Sequence, residues 1–294
     1  MTADPVLAAE LIECALRSPQ FELVRRRVFR QLLESLLYEG TLAARIADDG
    51  HCTVEGTDEH GDAVTYQFTA PRRYGFNRVR LGPEPVLRRA SGHVAEAGST
   101  TRFLSEARHS LCADGTRVAM FARELEATLI NDTLAQYIRA QRDDVLRGAD
   151  YDTLESAITD GHPYHPAYKS RIGFDLTDNL AWGPEFANAI HPLWLATHRA
   201  TATVSVSTQL HEITFLRDQL GKVTVEEFLQ RIRRAGVDPS NYTFLPVHPW
   251  QWRERVSRAF AAQLRNRELI VLGEDPHAHL AQQSIRTLAC RDVP

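Results

Sequence analysis

The densest group of residues able to do chemistry is the run Gly161-His162-Pro163-Tyr164-His165-Pro166-Ala167-Tyr168-Lys169-Ser170-Arg171-Ile172-Gly173-Phe174. Each histidine precedes a proline, and the residue before proline is pushed out of the helical region, so the segment reads as a loop stiffened by two fixed φ angles. From His162 to Phe174 there is no acidic residue, while Lys169, Arg171 and two imidazoles are present. A rigid loop carrying only positive or neutral donors suits an anion, lysine serving as a point charge and arginine as a planar fork. A purely structural turn fits the same residues equally well. A third reading joins His162 and His165 to His248 at a zinc ion, but no H-E-x-x-H helix or paired cysteine supports it.

Two further groups stand out. In Leu245-Pro246-Val247-His248-Pro249-Trp250-Gln251-Trp252 a short strand runs into a helix start, and the two tryptophans read first as packing. In Gln283-Ser284-Ile285-Arg286-Thr287-Leu288, a strand would place Ser284 and Arg286 on one face, a hydroxyl beside a guanidinium suited to phosphate. The sequence has no G-x-x-x-x-G-K-[ST] loop, no G-x-G-x-x-G after a strand and no G-x-S-x-G elbow. Any nucleotide would be held by scattered side chains.

The elements that position these residues follow from periodicity. Pro5–Arg17 and the stretch from Phe21 onward read as helices, with Val24, Val28, Leu32 and Leu36 recurring every four residues and Gly40 as a left-handed cap. Arg25, Arg26, Arg27 and Arg30 form the opposite face, expected to be solvated. Residues 52–57 and 63–70 alternate as strands about a hairpin loop, Asp58–Asp62, and a further strand is expected around Tyr74–Leu81. Helices are expected over 100–112 and 117–142, then a linker and a domain boundary near residue 150. Beyond Gly161, strands at Ala202–Val206, Phe244–Val247, Leu269–Leu272 and His279–Cys290 alternate with helices near 208–220, 224–235 and 250–266. The expected class is α+β, with a helical domain with a small β-hairpin over 1–150 and a β-rich domain with flanking helices over 151–294.

Composition bounds the function. The 294 residues carry 34 basic and 38 acidic side chains, a net charge of −4, which argues against nucleic acid and anionic membrane as partners. No apolar run is long enough to span a bilayer, and the start of the chain has no basic, then apolar, leader. Cys14, Cys52, Cys112 and Cys290 form no framework, so a reduced, cytoplasmic protein is expected. Only Lys169 and Lys222 are lysines; the other basic residues are arginines. A lysine kept in such a chain suggests a use for its compact ammonium.

Four pieces in order resemble the siderophore synthetases that work independently of nonribosomal peptide synthetases: the G-H-P-x-H-P-x-x-K-x-R-x-G-F run at 161–174, Gly183-Pro184-Glu185-Phe186, V-H-P-W-Q at 247–251 and S-x-R-T at 284–287. The long first run is the specific one. The resemblance implies a cupped hand of helical thumb, β-rich fingers and palm. It implies ATP and Mg²⁺ as cofactors, adenylation of a citrate-like carboxylate, and condensation with an amine or hydroxyl substrate. By motif match, Ser284, Arg286 and Thr287 would hold ATP phosphates. His165 and Lys169 would be catalytic, with Lys169 also on the nucleotide, and His162 would lie in the same cavity. Members of that family are roughly twice this length, so a thumb-like domain and incomplete fingers are expected, with the palm absent. A homodimer or a separate C-terminal half is the expected partner. The rival reading is a non-catalytic remnant that dimerises or scaffolds another protein.

Overall fold

The computed structural model describes residues 5–70, 72–111, 114–142, 146–205, 207–253 and 261–274. Two compact units are present, Met1–Ala187 and Asn188–Pro294. In the first, helices α1 (Pro5–Leu16) and α2 (Pro19–Tyr38) precede a five-stranded antiparallel sheet. Its strands are β1 (Arg45–Ile46), β2 (His51–Thr57), β3 (Ala63–Thr69), β6 (Leu87–Ala90) and β7 (His93–Glu96), side by side in that order. The sheet is larger than the expected hairpin because β6 and β7, only four residues each and rich in exposed positions, carry almost no alternation. Two short strands, β4 (Arg72–Arg73) and β5 (Val79–Arg80), replace the continuous strand expected at 74–81, since a tight turn at Gly75–Asn77 separates them.

The hairpin between β2 and β3 is as the alternation predicts. Cys52 and Val54 on one strand and Val64, Tyr66 and Phe68 on the other are buried, their neighbours along the chain less so. Asp58 closes the loop by accepting from the His60 and Asp62 amides at 3.0 and 2.9 Å. Against this face pack Val24, Val28, Phe29, Leu32 and Leu33 of α2, Phe103 and Leu104 of α3 (Thr100–Glu106) and Leu125 of α4 (Gly115–Ala140). Asp114 caps α4 by accepting from the Arg117 amide at 3.0 Å.

The division between units falls at Ala187, not near 150. A second apolar cluster explains the difference: Leu180 of α6 (Leu176–Trp182) packs with Ala8 and Ala15 of α1 and Leu134 of α4. Residues 151–187, including the short helix α5 (Tyr151–Ser156), therefore fold with the helices before them.

The second unit holds an antiparallel sheet ordered β10 (Leu269–Glu274), β8 (Leu193–His198), β9 (Tyr242–Val247). Helices α7 (Glu212–Leu220) and α8 (Lys222–Arg234) supply Leu216, Leu220, Phe228 and Ile232 to a core with Trp194 and Ala196. Leu195, the alternate residue, joins Val247 and Leu269 in a separate cluster. The middle strand thus buries alternate residues in different clusters and reads as an unbroken apolar run. Residues 202–205, expected in a strand, are irregular instead. The strand expected at His279–Cys290 lies outside the described residues. Among the described residues, no helix is long and apolar enough to cross a membrane.

Candidate functional site

The 161–174 run is a loop, as its prolines require, and its shape is set by side chains. The His162 Nδ1 accepts from the backbone amides of Tyr164 and His165 at 3.2 and 3.0 Å, closing a turn. His198 and His248, in the second unit, do the same for the amides of Ala200 and Trp250, both at 3.2 Å. Gln31 of α2 donates to the Pro163 carbonyl at 3.0 Å. The Tyr164 ring lies 3.6 Å from the Arg78 guanidinium and 4.6 Å from that of Arg80. Gly161 is required by close approach: a Cβ there would sit 2.0 Å from the Tyr168 ring. The Tyr168 hydroxyl donates to the buried Asp132 of α4 at 2.5 Å, and Arg27 of α2 bonds the same carboxylate. Burial, and then the Asp132 charge, push the Tyr168 phenol far above its ordinary range.

Lys169 is buried, and its ammonium lies 3.1 Å from Glu185. Arg171 binds the other oxygen of that carboxylate at 2.5 Å and also reaches Asn179. Burial acts to raise the Glu185 carboxyl, but Arg171 and Lys169 outweigh it and hold the group below the usual carboxylate range. Asn131 of α4 donates to the Lys169 carbonyl at 2.8 Å. Arg171 sits at φ 45° and Gly173 at φ 96°, so the chain reverses sharply before Asp175 caps α6 with a reciprocal Asp178 contact. Gly183 is also forced, because a Cβ would come within 2.6 Å of the Asn179 carbonyl and 2.7 Å of Arg171.

The expected site residues therefore divide. His165 is exposed on the loop. His162 is a turn-forming residue, and Lys169 faces an internal acid instead of an open cavity. Ser284, Arg286 and Thr287 lie outside the described residues, so their approach to the loop is not part of the described geometry. No group of three His, Cys, Asp or Glu able to hold a metal occurs among the described residues, so the His162–His165–His248 zinc arrangement has no counterpart there.

Two signature segments, 161–174 and 183–186, are thus one unit joined through Glu185. Residues 150–294, which contain both, match the IucA / IucC family.

The chain belongs, through that region, to the IucA / IucC family.

Its resemblance to siderophore synthetases extends beyond the region matched. It is 38% identical over 277 residues to the citryl-spermidine/3,4-dihydroxybenzoyl-citryl-spermidine:spermidine ligase of Bacillus anthracis, covering 93% of this chain and 45% of that protein. The crystal structure of the petrobactin biosynthesis protein AsbB from Bacillus anthracis str. Sterne is similar with a TM-score of 0.80 at 36% identity, over 95% of this chain and 46% of that one. Aerobactin synthetase IucC from a hypervirulent pathotype of Klebsiella pneumoniae gives 0.69 at 26% identity, over 87% and 45%. The chain spans about half the length of these IucA / IucC relatives.

Sequence reasoning missed Glu185, Asp132, Gln31 and Arg27 as the residues that shape the loop. For Asp132 a signal existed: it falls on the buried stripe of α4 with Leu125, Thr128 and Ala135, where a carboxylate needs a partner. The arginine face of α2 is solvated only in part, at the exposed Arg26. Arg25 is buried and bonds Glu22, Glu96 and the Ala97 carbonyl, while Arg27 bridges Asp132 and Asp160.

Proposed function

We propose that this chain forms part of an ATP- and Mg²⁺-dependent siderophore synthetase that adenylates a citrate-like carboxylate and passes the acyl group to an amine or hydroxyl. The observation that carries the reading is the likeness, across nearly the whole chain, to a citryl-spermidine ligase. In such a reaction a carboxylate oxygen bonds to the α-phosphorus as the bond to pyrophosphate breaks. The amine nitrogen then bonds to the acyl carbon, AMP leaves, and the proton of the amine passes to solvent.

Negative charge grows on the transferred phosphoryl group and on pyrophosphate, so donors fixed toward them lower the barrier. In this reading His165, exposed on a loop whose backbone is held from three sides, is a donor to an oxyanion. Ser284, Arg286 and Thr287 are the proposed phosphate ligands, and Mg²⁺ would neutralise phosphate oxygens. Lys169 takes a positioning role: paired with Glu185, it holds the loop from which His165 projects.

Pyrophosphate release tests the proposal. The chain is mixed with a separately produced polypeptide matching the remaining half of a relative, then given ATP, Mg²⁺, citrate and spermidine. Release that needs both polypeptides and falls about 100-fold on His165→Ala is expected. No release with any acid would end the synthetase reading and leave the scaffold; full turnover by His165→Ala would end the role of that imidazole.

A further inference from the structure

Two segments of the first unit carry opposite charge and unusual exposure. Residues 72–80, which form β4, its turn and β5, hold four arginines and no acid. Residues 150–160, which contain α5, hold four acids and no basic residue. At the tip of the first, between Gly75 and Asn77, Phe76 is 96% exposed and held at φ 60°, ψ 32°. A bulky side chain in the left-handed region is strained, and glycine would take that place without cost. An aromatic both strained and in water calls for a contact. Tyr74 beside it is also exposed. In the second segment Tyr151, Leu154 and Ile158 are exposed at intervals of three and four residues, the last of them on the turn that closes the helix.

Helix α2 sets how far apart these segments stand. Arg27 bonds Asp160, and Glu34 bonds Arg80 at 3.3 Å. Arg27 and Glu34 are seven residues apart on one face of the helix, about 10 Å at 1.5 Å per residue. The two segments therefore border one cleft, which Arg80 and Asp160 line together. The surface that matches each segment in charge and in apolar content is the other, so the chain supplies its own complement.

We propose that a second copy of this chain docks here about a two-fold axis over the cleft, the basic hairpin of each copy against the acidic segment of the other. Such an isologous contact needs two complementary patches on one side of a subunit, and makes every contact twice. Tyr74 and Phe76 pack on Tyr151, Leu154 and Ile158, while Arg72, exposed on β4, meets Asp152, exposed in the first turn of α5. Those five apolar side chains, covered in both copies, bring on the order of 1,000 Å² into contact, enough for a specific interface. The dimer involves the first unit alone and is independent of the synthetase reading.

Sedimentation equilibrium on the 294-residue chain tests this. A reversible dimer is expected below about 100 μM chain. Phe76→Gly removes the ring and relieves the strained φ, so it should keep the fold, checked by thermal melts, and weaken the dimer at least about tenfold. Arg72→Glu and Asp152→Arg should each weaken it by a similar factor, because each sets like charges together twice. Mixed, these two variants should form a heterodimer about as tight as the original, since both contacts then join opposite charges. A chain that stays monomeric at about 100 μM would overturn the proposal. So would a dimer that Phe76→Gly or the single charge variants leave undiminished, or folded charge variants that fail to associate when mixed.

Discussion

Replacing Glu185 with glutamine removes the carboxylate that Lys169 and Arg171 share while nearly preserving its shape. The Glu185 side chain is 1% exposed, Lys169 8% and Arg171 20%. At an effective dielectric of 20, the Lys169 pair at 3.1 Å attracts by about 5 kcal/mol and the Arg171 pair at 2.5 Å by about 7 kcal/mol before desolvation is counted. Much of this is offset by taking the ions out of water, so the intact triad contributes far less than the sum. The variant differs, because its two cations stay in place without a counter-charge. Breaking a buried pair in this way costs about 3–5 kcal/mol. That is a large part of the ~5–15 kcal/mol that stabilises a typical domain. Urea unfolding should show a lower midpoint with an unchanged slope. Lys169→Met should cost less, about 1–3 kcal/mol, since Arg171 still pairs with the carboxylate. In the double variant the two losses should fall short of additive by at least about 1 kcal/mol, the signature of direct coupling. A cost below about 1 kcal/mol for Glu185→Gln, or strict additivity, would show that the triad does not hold the loop.

The same carboxylate sets a pH dependence. Its folded value lies below the ordinary 4.5, so its stabilisation is fully present above that pH and is lost as pH falls through the lower folded value. Urea midpoints should therefore be level at neutral pH and drop below about pH 4.5, less steeply in Glu185→Gln. Gly161→Ala forces a methyl against a Tyr168 ring tethered by its hydroxyl, and should cost about 1–3 kcal/mol by the same unfolding assay. Asp114→Ala removes the cap of α4 and should cost about 1 kcal/mol, with the far-ultraviolet signal of the native state unchanged.

Helices α2 and α4 and the β2–β3 hairpin could be read from the chain because each repeats a local period that burial enforces. Strand β8 could not: Trp194, Leu195 and Ala196 are all buried, so no alternation marks them. The loop at 161–174 was visible through its prolines, and the family through its motifs. The purpose of Lys169 was not, since its partner stands 16 residues away in a tetrad where a single carboxylate looks unremarkable. Likewise Arg27 meets Asp132 across 105 residues. Periodicity reports which face of an element is apolar. It is silent on which distant charge will neutralise a basic side chain, and such pairing draws Arg25 and Arg27 out of an otherwise solvated arginine face into an internal framework.

The three histidine-closed turns carry a chemical corollary. Since Nδ1 of His162, His198 and His248 accepts from main-chain amides, the single hydrogen of each neutral ring belongs on Nε2. Backbone geometry has thereby chosen the tautomer. A neutral imidazole fixed in this form can act through Nε2 only as a hydrogen donor.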